Sequence, residues 1–238
     1  MAAMQATQAS RASIRGISSM ATRQVLAELA EACSAATCVT LVVEATGGVD
    51  AARRVAAGEA FDSVILAADA IDRLIASGQV VAGSRVDLVR SPVAVAVRAG
   101  APQPDIGSEA ALKQAVAAAR TVGYSTGPSG TFLQQLFARW GLAEALRERS
   151  VQAPPGVPVG SLVARGEVEL GFQQLSELMH LDGIAVLGTL PPGCAHVTTF
   201  SGALCAASAQ PDAVRRVLAW MASPAADAAK RRHGMEPA

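Results

Sequence analysis

Short apolar, β-branched runs alternate along this chain with segments whose apolar residues recur at helical spacing. The runs at 38–43, 63–66, 86–97, 121–124, 169–172, 184–187 and 196–206 predict strands. Helices are predicted at 20–33, 49–57, 68–77, 108–119, 131–140, 159–165 and 211–221. This alternation predicts an α/β fold with a mostly parallel sheet covered on both faces, where ligands meet the strand-to-helix loops. Two predicted strands, 86–97 and 196–206, are longer than usual and are expected to cross between two lobes. Residues 1–92 and 196–238 then form one lobe and 93–195 the other. The closing SPAADAAKRRHGMEPA returns to the first lobe as a helix ended by Gly234.

Four predicted junctions carry small or polar residues. Gly16-Ile17-Ser18-Ser19 precedes the first helix and Thr46-Gly47-Gly48 the second. Ser125 to Gly130 precedes the helix at 131–140, and Pro155 to Ser161 the one at 159–165. In TVGYSTGPSGTFLQQLFARW, residues 121–140, an apolar strand breaks into a Gly/Ser/Pro turn, which places Ser129, Gly130 and Thr131 where the first N–H groups of a helix lack intrahelical partners. A single such turn reads equally as an ordinary helix cap. Four of them, two on each predicted lobe, point to a shared anion cleft.

Composition narrows the ligand. The 238 residues are 51% apolar, enough for a sizeable core, and 20 basic residues balance 20 acidic ones without clustering. Nucleic acid and anionic membrane are therefore not expected partners. Aromatics at 3% leave little for base stacking or a sugar groove, which favours a small polar ligand. No stretch approaches the roughly 18 apolar residues of a membrane span. The start MAAMQATQASRASIRGISS lacks the apolar core of a leader, so the chain as written is expected in the cytoplasm, and in the periplasm if a leader has been removed. Cys33, Cys38, Cys194 and Cys205 show neither zinc spacing nor a C-x-x-C pair and read as free, buried thiols. No metal or cofactor is expected.

The run GSLVARGEVELGFQQLSEL, the following GIAVLGTLPPG, and the closing SPAA and HGMEP resemble the molybdate-type periplasmic solute-binding proteins of the type II periplasmic-binding fold. The resemblance covers nearly the whole chain. It implies two α/β lobes closing on a cleft, a small anion as ligand, and the membrane component of an ABC transporter as partner. Carried over residue by residue, the family's first serine falls on Ser19 and its second loop on Thr46, Gly47 and Gly48. The third contact falls on Ser129, with Ser125 and Thr126 beside it, the fourth on Pro158 and Val159, and the tyrosine on Gln174. Pro158 has no N–H to give, Gln174 offers an amide in place of a phenol, and Gly47-Gly48 lack hydroxyls. A dianion held without counter-charge needs all its neutral donors. These departures point to an anion other than molybdate, and to a small carboxylate.

One branch of the family contains aconitate isomerase, which moves a proton and a double bond within a tricarboxylate without a cofactor. The resemblance thus implies an alternative to passive binding. Arg23, Arg53, Arg54, Arg90 and Arg165 lie near the predicted loops or crossover strands, where guanidinium would clamp carboxylates. Glu44, Tyr124, Glu177 and His180 are the acid–base candidates. Glu44, ending an apolar strand beside Thr46-Gly47-Gly48, is the one expected to be buried with a raised pKa. A buried Glu44 facing the cleft favours the enzyme; a Glu44 turned outward onto arginine removes that role. A third reading, a sensory domain, lacks any helix-turn-helix before Met20.

Overall fold

One long strand, β4 (Val86–Arg98), belongs to two sheets at once. Up to Pro92 it pairs antiparallel with β9 (Val197–Leu204), completing a sheet ordered β2 (Val39–Thr46), β1 (Ala12–Ser19), β3 (Ser63–Ala67), β9, β4. From Val93 onward it pairs with β7 (Leu170–Gln174) and β8 (Ile184–Thr189) in a second sheet, which continues through β5 (Val122–Tyr124) to β6 (Ser150–Gln152). A short β10 (Glu236–Pro237) lies along the first half of β4. The computed structural model describes residues 11–238; residues 1–10, which begin the predicted first lobe and the stretch read for a leader, lie outside the described residues.

The pairing is mixed rather than mostly parallel. β1 runs parallel to β2 and β3, and β5 to β6 and β7, as the helical connections between them require. Every pair made by β4 or β9 is antiparallel. β9 was expected to cross between the sheets, but it pairs wholly within the first. The chain returns just before it, where the Leu190 N–H donates to the Val93 carbonyl and the Val93 N–H to that of His196.

Each sheet is covered on both faces. Ile14 and Ile65 face α1 (Arg23–Thr37) and α9 (Pro211–Met221), packing with Leu26, Leu29 and Val217. Ile17, Val64 and Leu66 face α2 (Gly48–Ala56) and α3 (Ala68–Ala76). In the second sheet Val93 and Val95 meet Leu112 of α4 (Glu109–Ala118) and Phe137 of α5 (Pro128–Arg139), while Ala94 and Ala96 meet α8 (Leu175–Leu178). α7 (Val159–Ala164) shares the α8 side, α6 (Ala143–Leu146) leads into β6, and α10 (Asp227–Arg232) ends at Gly234 with φ +67°.

β1 was not expected as a strand. Its ASIRGISS reads as polar, yet it sits inside the first sheet, and Gly16 is small because a Cβ there would lie 2.8 Å from Ser63 Oγ. The sulfurs are all free, but Cys38 is exposed, capping α1 at φ +57°, not buried as expected. Among the described residues no helix is long and apolar enough to cross a membrane.

Candidate functional site

The carboxyl ends of β1, β2, β5 and β7 converge where the two sheets meet, and the turns beyond them enclose a cleft of about 60 Å³. Its rims approach at one point: a Cβ placed on Gly47 would lie 3.5 Å from the Gly156 nitrogen on the opposite side.

Ser19 is the last residue of β1. Its hydroxyl is buried and has no hydrogen-bond partner. Gly47 and Gly48 form the N-terminus of α2 beside it, where the Gly48 backbone comes close to the Ser19 side chain. Across the cleft, Ser125 and Ser129 share a 3.1 Å hydrogen bond, and the Gly127 N–H donates to Ser125 Oγ. Of the three N–H groups expected to be open, Gly130 and Thr131 both turn back to the Gly127 carbonyl. Only the Ser129 N–H lacks a backbone partner, so the helix offers one donor there instead of three. The wall is tight, since a Cβ on Gly130 would overlap the Ser125 carbonyl.

β7 supplies the opposite wall. Gln174 is buried, its Nε2 donates to Thr198 Oγ1 at 2.8 Å, and its Oε1 is left without a donor. Gln173 is fixed by a different logic. The Val159 N–H donates to its Oε1 at 2.8 Å, which forces the amide nitrogen the other way, onto Glu177 Oε1 at 2.7 Å. Glu177 is the single ionisable side chain lining the cleft among the described residues. Burial pushes its carboxyl up to about 7, outweighing the Gln173 hydrogen bond that favours the ionised form. Part of the residue remains accessible, and it lines both the cleft and the pocket beside it.

Several expected site residues lie elsewhere. Glu44 is exposed and paired with Arg54 and Arg15, which hold its carboxyl below the ordinary range, so the acid–base role considered for it is removed. The strand's alternation turns it outward, and Arg54 of α2 meets it there. Thr46 gives its hydroxyl to Asp50 and does not line the cleft. Pro158 does line it, but Val159 is buried, with its N–H committed to Gln173. Tyr124 accepts from Gln134 at its hydroxyl and faces the α5 core. Gly16 to Ser18 are strand rather than loop. Arg53 pairs with Asp50, Arg165 with Glu167, and Arg90 donates to the Pro237 carbonyl, so none of these three reaches the cleft. Ser19, Gly47, Gly48, Ser125, Thr126, Ser129, Pro158 and Gln174 are brought together around it. Gln173 escaped the sequence reading. Its signal was a second amide in a short strand that is buried throughout.

The model of the bacterial extracellular solute-binding protein family matches residues 14–236. An aconitate isomerase from a Pseudomonas species is 43% identical over 185 residues, covering 77% of this chain and 70% of that protein. Among solved structures, the periplasmic molybdate-binding protein of Azotobacter vinelandii superposes with a TM-score of 0.76 at 20% identity, over 93% of this chain and 98% of that one. The sulfate-binding protein of Mycobacterium tuberculosis gives a TM-score of 0.77 at 16% identity, over 95% and 87%.

Proposed function

Because the chain belongs to the bacterial extracellular solute-binding protein family and has the type II periplasmic-binding fold, we propose that its cleft binds a small polycarboxylate and that Glu177 moves a proton on it, as an isomerase of the aconitate kind requires. The observation carrying this reading is one carboxyl, its pKa pushed up by burial, in a cleft whose other lining side chains are neutral. In an unsaturated polycarboxylate a methylene flanked by a double bond and a carboxylate is acidic enough for a positioned base. Glu177 takes that proton, the electron pair moves into a new double bond as the old one opens, and the proton is returned at the far allylic carbon. Nothing is oxidised or reduced. A base working at neutral pH is best matched by a pKa near it. Ser19, the Ser125–Ser129 pair and the α2 N-terminus face the place where negative charge would spread onto a carboxylate.

A second reading, capture of a small anion for an ABC transporter, is favoured by the neutral hydroxyls, amide and helix N-termini that line the cleft. In that case protonated Glu177 acts as one more donor.

One incubation separates the two. The protein is held with trans-aconitate and followed by proton NMR, alongside thermal unfolding with aconitate, citrate, sulfate and molybdate. A ligand at a hundred times its Kd adds about 2.7 kcal/mol. Isomer conversion supports catalysis, stabilisation without conversion supports capture, and no stabilisation by any of these anions refutes both.

A further inference from the structure

A second chamber opens behind Glu177. It is a half-open pocket of about 100 Å³ that shares Met20, Pro158 and Glu177 with the cleft, so the Glu177 side chain stands between the two spaces. The rest of its lining is mainly polar and includes Arg23, Ser176 and His180.

Arg23 is placed against local preference. It occupies the first position of α1, where a cation meets the positive end of the helix dipole, and the first turn of that helix carries no acidic residue to offset it. Arg53, Arg54 and Arg165 all sit on carboxylates, but among the described residues Arg23 pairs with none. Its neighbours supply no second charge. Ser176 gives its hydroxyl to the Ala21 carbonyl at 2.9 Å. His180 shares a 3.1 Å hydrogen bond with His233, and burial lowers its pKa, which keeps it neutral at pH 7. Arg23 and His180 are exposed at its mouth, so the pocket presents at its opening one guanidinium that has no carboxylate partner among the described residues, and Glu177 is the acidic side chain that lines it too. The cleft beside it is half-open, and α5 offers it one open helix donor at Ser129.

We propose that this chamber is a carboxylate subsite, in which one carboxylate of a polycarboxylate lies against Arg23 while the remainder of the molecule occupies the cleft. The inference rests on the polycarboxylate reading above and gives it a length: the ligand spans the Glu177 wall, which brings the carbons between its carboxylates past that side chain. Arg23 is then the residue that separates tricarboxylates from dicarboxylates.

Calorimetric titration of the whole chain tests this with trans-aconitate and with itaconate, the same skeleton less one carboxylate. Arg23→Met is expected to weaken trans-aconitate about tenfold or more, the scale of a lost charge-assisted hydrogen bond, and itaconate less than about twofold. Arg23→Lys recovers part of the loss, because it keeps the charge without the fork. Both variants should melt no lower than wild type, since a cation leaves or stays at an unfavourable helix end. Equal weakening of the two ligands, or unchanged trans-aconitate affinity in Arg23→Met, overturns the subsite while leaving the polycarboxylate reading intact. Wild-type protein that binds neither ligand overturns both.

Discussion

Replacing Gly130 by alanine strikes the cleft wall at its tightest point. A Cβ there falls 1.7 Å from the Ser125 carbonyl oxygen and 2.8 Å from its carbon, inside the 3.0 Å that real Cβ contacts keep. The Ser125 peptide would have to retreat by more than an ångström. It is not free to do so, because Tyr124 just before it ends β5 and its carbonyl accepts from the Ala153 N–H at 2.9 Å. Overpacking of this kind costs about 1–3 kcal/mol. Loss of the Ser125–Ser129 and Gly127–Ser125 hydrogen bonds adds about 1 kcal/mol each. The sum, about 3–5 kcal/mol, lowers Tm by about 6–20 °C in a chain of this size. Gly127→Ala is the control. Its Cβ would lie 3.6 Å from Ser125 Oγ, an ordinary contact at φ −81°, and should cost no more than about 0.5 kcal/mol. Thermal unfolding by circular dichroism reads both variants. If Gly130→Ala melts within about 2 °C of wild type, or Gly127→Ala is equally damaging, the loop is not seated on α5 as described.

Two further outcomes concern the other sides of the cleft. A folded state that holds the Glu177 proton more tightly than the unfolded chain is favoured at low pH, and that advantage is lost as pH rises from the ordinary 4.5 through about 7. Burial lowers the pKa of His180 and His196, which run in the opposite sense. The difference between wild type and Glu177→Gln isolates the glutamate: wild type should lose about 3 kcal/mol relative to the variant across that window, and parallel Tm-versus-pH curves would refute its burial. Ser19→Ala removes a buried hydroxyl that has no partner, so stability should hold or rise slightly while ligand affinity falls about fivefold to tenfold in calorimetry. Unchanged affinity would mean that Ser19 does not touch the ligand.

Elements whose residues agree with their own periodicity were legible in the sequence. α9 begins and ends where the Pro211-to-Met221 pattern says, and the βα junctions at Gly47-Gly48 and Ser125 to Ser129 line the cleft. β1 was hidden because a strand inside a sheet can use serine and glycine when its neighbours come close, as Ser63 does to Gly16. Glu44 misled because strand alternation alone does not say which face meets the cleft, and the Arg15 and Arg54 guanidiniums that draw it outward are distant in sequence. Glu177 was visible as a candidate, but its neighbour's role was not. Gln173 becomes a positioning group only when α7 brings the Val159 N–H to it, a long-range contact that no local pattern encodes.

If Glu177 carries the proton, its removal separates binding from conversion. Wild type and Glu177→Gln should be incubated with trans-aconitate in deuterium oxide and followed by proton NMR, with binding of each measured separately. Wild type should convert it to the cis isomer, and Glu177→Gln should do so at least about a hundredfold more slowly at retained binding. Wild-type protein that binds the compound without converting it, or a Glu177→Gln variant as fast as wild type, would contradict that role.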